Sequence, residues 1–177
     1  MKNKASYTIS LVLPQKTAIP YIRAAQGLFS STSDSYLLSE HSLPHITVCQ
    51  FECDQGQIAH AIWKEFAKQT DDLSISVRFT GVSFTKGIGG HQEFYWAELV
   101  IARDAAIMKA HHLAVTAVQN RGLVLLNEIG DLYYPHLTLA RIRLPKTFQS
   151  WPDSLLNNPG PLRLDLVPCI PPQEKKL

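Results

Sequence analysis

The chain has 177 residues, 45% of them hydrophobic and 18% charged, with a formal net charge of +2 and a pI near 8.4. Those proportions suit a folded domain with a real core and exclude a disordered chain. The charge is too mild for a dedicated nucleic-acid binder carrying a basic stripe, and no run approaches the roughly 20 apolar residues of a membrane span. Cys49, Cys53 and Cys169 are an odd number and cannot complete a disulfide framework, so a reduced, cytoplasmic protein is expected.

In chain order, Tyr7 to Leu13 is rich in β-branched and aromatic residues and stops at Pro14, which predicts a strand. Thr17 to Phe29 follows as a helix with Pro20 in its first turn. Tyr36 to Leu38 reads as a short strand, and Pro44 introduces another from His45 to Phe51. Ile58, Ile62 and Phe66 recur four apart, the mark of a one-faced helix from Asp54 to Lys68. Leu73, Ile75, Val77 and Phe79 alternate as a half-buried strand does, and Gly81 shifts the phase as a bulge would. Thr85 to His91 is a glycine-rich loop without P-loop spacing.

The second half opens with a strand from Phe94 to Ile101. Asp104 is placed to cap a helix that runs to about Asn120 and stops at Gly122. Strands are expected at Leu123 to Leu126, at His136 to Leu144 behind Pro135, and at Pro161 to Val167, before a frayed tail from Pro171. Each half therefore runs strand, helix, short strand and Pro-His strand. The pattern predicts an α+β fold of two similar lobes, each a mainly antiparallel sheet with helices outside. No linker separates them, so residues 1–177 form one bilobal domain.

The two Pro-His strands match residue by residue. Pro44-His45-Ile46-Thr47-Val48 and Pro135-His136-Leu137-Thr138-Leu139 are both Pro-His-apolar-Thr-apolar. Period-2 geometry puts His and Thr on one face and the apolar pair on the other. Facing strands of this kind would line a cleft with two imidazoles and two hydroxyls. Opening a phosphodiester without a metal needs a base for water and an acid for the departing oxygen, and histidine serves as either near neutrality. Threonine hydroxyls can donate to the non-bridging oxygens as charge builds.

These motifs resemble the 2H phosphoesterase superfamily, with bacterial RNA 2′,3′-cyclic phosphodiesterases, also called 2′-5′ RNA ligases, as the nearest likeness. The resemblance implies a duplicated fold whose two sheets face a central cleft, with His45 and His136 as general acid and base and Thr47 and Thr138 binding phosphate. It implies an RNA or nucleotide substrate carrying a 2′,3′-cyclic phosphate, opened to a 2′-phosphate, with 2′-5′ ligation as the reverse reaction. Hydrolysis of 2′-5′ oligoadenylate or a cyclic ADP-ribose phosphate, and non-catalytic nucleotide binding, are the alternatives. No metal or cofactor is expected, since Cys49 and Cys53 have no second cysteine pair.

The second motif continues to Arg141, which the resemblance offers as a further phosphate ligand. Strict alternation would put Arg141 on the apolar face with Leu137 and Leu139 unless a bulge intervenes. Tyr7 and Tyr133 are the candidates for stacking on a base. His111 and His112 are adjacent on a helix and so share no face.

Overall fold

The computed structural model describes residues 5–42, 44–70, 73, 75–87, 92–143, 156–157 and 159–168. The end of the glycine-rich run, Leu144, Cys169 and the tail from Pro171 lie outside the described residues. The elements are β1 (Ala5–Val12), α1 (Gln15–Phe29), β2 (Ser33–Leu37), β3 (His45–Cys53), α2 (Gly56–Thr70), β4 (Ile75–Ser76), β5 (Phe79–Lys86), β6 (Tyr95–Ile101), α3 (Ala105–Gln119), β7 (His136–Ile142) and β8 (Pro161–Pro168).

Several boundaries depart from the sequence pattern. Helix α1 begins at Gln15, with Pro14 at its N-cap, so Pro20 lies beyond the first turn and leaves one backbone bond of the helix unmade. Asp104 does occupy the N-cap of α3, but its carboxylate accepts from Arg78 at 3.2 Å instead of capping a backbone amide. The expected strand from Leu73 to Phe79 divides, with only Ile75–Ser76 pairing to β8 and Phe79 opening β5. Gly81 does follow a bulge, because Phe79 and Gly81 face Ile101 and Val100 and leave Thr80 as the extra residue. Gly122, at φ 65°, ends the turn after α3 in the left-handed conformation that glycine adopts without strain.

The strands form one eight-stranded sheet in the order β4-β8-β1-β3-β7-β6-β5, with β2 added beside β7. Its centre is thin. β3 and β7 meet in a single antiparallel pair, Ile46 with Leu137, so two four-stranded sheets join at the two motifs.

The halves are interleaved. Helix α1 and strand β2, from the first half, pack on and pair with β7 of the second. Reciprocally, α3 packs on β3, and the expected strand at Leu123 to Leu126 forms only a bridge, Leu125 to Phe51, on that same strand. Each motif strand is thus backed by a helix and edged by a segment from the other half. The core beneath includes Ile9, Leu11, Ile46, Val48, Phe51, Ile62, Phe66, Leu99, Val118, Leu137 and Leu139, all fully or almost fully buried. No helix among the described residues is long and apolar enough to cross a membrane.

Candidate active site

The two motifs are built alike down to the backbone. Proline has no N–H to give a ladder, but its carbonyl accepts. The Pro44 carbonyl takes the Leu13 amide at 2.9 Å, and the Pro135 carbonyl takes the Ile101 amide at 3.0 Å. In each strand the next four residues then alternate as expected, with Ile46, Val48, Leu137 and Leu139 buried and His45, Thr47, His136 and Thr138 part-exposed. β3 and β7 pair at Ile46 and Leu137, whose side chains are buried, so His45 and Thr47 on β3 and His136 and Thr138 on β7 lie on the opposite face. All four predicted groups are therefore brought to one face of adjacent strands.

Each motif ends in a bulge. Against β1, Thr47 pairs with Ser10 and Cys49 with Ile9, which leaves Val48 as the extra residue. Against β6, Thr138 pairs with Glu98 and Ala140 with Ala97, which leaves Leu139 as the extra residue. An inserted residue shifts the alternation, so Arg141 returns to the face of His136 and Thr138, paired across the ladder with Trp96. Gln50 holds the matching position in the first motif.

Arg141 is buried and committed to protein partners. Its Nε donates to the Asp34 carbonyl at 3.0 Å, Nη2 lies 3.4 Å from the Asp34 carboxylate, and the guanidinium sits 4.7 Å over the Phe94 ring. Alternation alone sent Arg141 to the apolar face, and the bulge that admits it here was only a condition in the sequence; Asp34, which reaches it from β2 of the other half, had no signal there.

The two tyrosines are placed elsewhere. Tyr133 is 3% exposed, its ring lies flat on His111 with centroids 3.8 Å apart, and its hydroxyl donates to the Thr47 carbonyl at 2.9 Å. Tyr7 shares the helix-facing side of β1 with Ile9 and Leu11 and stacks on Phe51. Neither is open to a base. The neighbouring Tyr134 is exposed instead, with its ring 5.6 Å from that of His136 and its hydroxyl donating to Ser83.

His136 is held at one nitrogen and faces a carboxylate with the other. Nδ1 donates to the Tyr134 carbonyl at 2.9 Å, and Nε2 faces the Glu98 carboxylate at 3.3 Å. Glu98 is buried and accepts hydroxyls from Thr85 and Ser83. A single carboxylate inside the apolar run Tyr95-Trp96-Ala97-Glu98-Leu99-Val100-Ile101 was the signal that could have found it. Cys49, on the core side of β3, is buried, which pushes its thiol up to about 12 and leaves it unreactive. Among the described residues no group of three or more His, Cys, Asp or Glu could hold a metal ion.

No protein-family model and no curated protein sequence matches the chain. Solved structures do match along nearly its whole length. Escherichia coli LigT complexed with 3′-AMP shares 12% identity over 95% of this chain and 97% of its own, with a TM-score of 0.63. A structure described as a phosphoesterase shares 13% over 95% and 97%, with a TM-score of 0.58. The MHV ns2 PDE domain shares 15% over 93% and 99%, with a TM-score of 0.54. At such identities the likeness is one of fold, which the chain shares with LigT, that phosphoesterase and the ns2 PDE domain.

Proposed function

We propose that the chain is a 2H phosphoesterase that opens RNA or nucleoside 2′,3′-cyclic phosphates to 2′-phosphates without a metal. The observation that carries this reading is the matched pair of motifs, alike in proline anchor, His-Thr face and terminal bulge, joined at Ile46 and Leu137. A structural frame needs no such repetition of imidazole and hydroxyl. The shared fold with LigT, solved with 3′-AMP, supports a nucleotide as substrate.

In this reading one imidazole takes a proton from water as the water oxygen bonds to phosphorus. The bond from phosphorus to the ribose 3′-oxygen breaks, and that oxygen takes a proton from the other imidazole. Thr47 and Thr138 donate to the non-bridging oxygens, whose charge grows in the transition state. Arg141, held by Asp34, forms a wall of the site, and Tyr134 in place of Tyr133 offers a ring face to the base.

The test is turnover, in EDTA, of a panel of nucleoside 2′,3′-cyclic phosphates, 2′-5′ oligoadenylate and a cyclic ADP-ribose phosphate. The 2′,3′-cyclic compounds are expected to be opened. Alanine at His45 or His136 is expected to lower turnover by about 10² to 10⁴-fold, the usual worth of one positioned acid or base. Binding without turnover, or activity that returns only on adding a divalent ion, would overturn the reading.

A further inference from the structure

Beyond its single pair with β7, the outer edge of β3 is held by the segment that leads into the second motif. The Glu52 amide donates to the Val124 carbonyl at 3.0 Å, and the Gln50 carbonyl accepts the Leu126 amide at 2.8 Å. The Gln50 amide donates to Asn127 Oδ1 at 2.6 Å. The last tie is Tyr133, just ahead of the second motif, whose hydroxyl donates to the Thr47 carbonyl at 2.9 Å. We infer that Tyr133 is a positioning residue, which sets the Thr47 hydroxyl against the phosphate gripped by both motifs. This rests on the two-motif reading of the site and adds to it a residue that lies in neither motif.

The bulge explains why a side chain is needed there. With Val48 as the extra residue, the ladder to β1 is broken next to Thr47, and pairing with Ser10 does not fix the peptide that follows. In the second motif the backbone supplies the hold, because the carbonyl of its bulged residue, Leu139, accepts the Leu38 amide at 2.8 Å beside β2. In the first motif the Val48 carbonyl goes to the His111 ring and the Thr47 carbonyl to Tyr133.

Tyr133 is itself fixed. It is 3% exposed, its ring lies parallel to that of His111, and its amide donates to the Gly130 carbonyl at 3.2 Å. Arg103 in turn holds the Gly130 and Asp131 carbonyls, each at 2.9 Å. Burial raises the Tyr133 hydroxyl far above the usual tyrosine value, so it keeps its proton and stays a donor. Tyr134 turns to the other sheet, its hydroxyl donating to Ser83 on β5 at 2.8 Å and its carbonyl accepting from His136 Nδ1 at 2.9 Å. The dipeptide thus ties Thr47 of one motif to His136 of the other across the thin centre of the sheet. A misplacement of about 1 Å between groups that must act together can cost on the order of 10²-fold in rate, so this tie bears on turnover.

The experiment measures kcat and KM on a nucleoside 2′,3′-cyclic phosphate for wild type, Tyr133→Phe, Thr47→Val and the double variant. Each is assayed at a temperature where circular dichroism shows it folded. Phenylalanine keeps the ring on His111 and deletes only the hydroxyl. Tyr133→Phe is expected to lower kcat about 5 to 50-fold and to change KM by less than about 3-fold. In the Thr47→Val background the same change should slow turnover by less than about 2-fold, because the tyrosine acts through the threonine hydroxyl. A residue that only props the fold would lower kcat by the same factor in both backgrounds. Such an undiminished loss would overturn this inference alone, as would wild-type kcat in Tyr133→Phe beside an impaired Thr47→Val. A Tyr133→Phe chain that does not fold at any temperature would also overturn it, since the hydroxyl would then be a prop of the core. Wild-type turnover in Thr47→Val, or none in wild type itself, would instead overturn the reading of the site and this inference with it.

Discussion

The carbonyl of Val48 accepts a hydrogen bond from Nδ1 of His111 at 2.7 Å. Val48 is the residue that bulges from β3, so its carbonyl is displaced from the ladder to β1, and a side chain from α3 takes it up. The other nitrogen, Nε2, accepts the Gly130 amide at 3.2 Å, and the ring stacks on Tyr133, whose hydroxyl holds the Thr47 carbonyl. Two adjacent carbonyls of the first motif are thus fixed by one stacked pair.

That arrangement makes fold stability depend on pH. His111 donates at Nδ1 and accepts at Nε2, so it is a neutral imidazole. Burial holds it below its ordinary value of 6.5, partly opposed by the Val48 carbonyl and reinforced by Arg103 and His112. A depressed value means the unfolded chain binds the proton more readily than the folded one. The stabilisation is then complete above about pH 6.5 and drains away as pH falls toward the folded value. Melting temperature should drop between neutral and mildly acidic pH, and His111→Gln should flatten that slope while lowering the plateau. Parallel pH curves for the two proteins would show that His111 is not the titrating group.

A second expectation concerns the wall of the site. Asp34→Ala removes the part-exposed carboxylate 3.4 Å from Nη2 but keeps the backbone carbonyl that accepts from Nε, so it should destabilise the fold by no more than about 1 kcal/mol. Arg141→Lys should cost more, about 1 to 3 kcal/mol, because an ammonium cannot reproduce the fork or its seat over Phe94. Denaturant titration reads both. An unchanged midpoint in Arg141→Lys would show that Arg141 contributes through charge alone.

The motifs were legible because both of their signals are local. Period-2 alternation assigned the faces of His45, Thr47, His136 and Thr138, and the proline in front marked each strand's start. Arg141 showed the limit of that logic. Alternation pointed it into the core, and only the Leu139 bulge, a property of pairing with β6, turns it out. Interleaving was illegible for a similar reason. Nothing within α1 or α3 says which half's sheet its apolar stripe will cover, since both sheets offer the same chemistry. Tyr133 and Tyr134 are adjacent in a loop without periodicity, so the sequence could not say that the first is buried on His111 and the second exposed beside His136.

That exchange of tyrosines carries a third expectation. Tyr134→Leu removes the exposed ring beside His136 while Ser83 keeps its other partner, Glu98. For substrates with a base, KM should rise about 5 to 150-fold, which corresponds to the 1 to 3 kcal/mol of one base–aromatic stack. A cyclic phosphate of ribose alone, with no base to stack, should be turned over by wild type and variant alike. Equal loss on both substrates would assign Tyr134 to the support of His136 and not to the base.

The last expectation tests the threonines. Thr47→Val and Thr138→Val keep size and strand preference and delete only a hydroxyl donor. Both positions are part-exposed, and the buried flanks Ile46, Val48, Leu137 and Leu139 are untouched, so melting temperatures should hardly move. Turnover should fall about 10 to 1000-fold in each variant, mostly in kcat, because an oxyanion donor acts most strongly where charge has built up. The two losses should combine to less than their product if both hydroxyls grip one phosphate, since groups that act as a unit are not additive. Because the bulges set Thr47 and Thr138 into equivalent places, a large loss from one and none from the other would mean the phosphate sits in one lobe. Wild-type kinetics in both would leave the matched bulges as a feature of the fold and remove the hydroxyls from the chemistry.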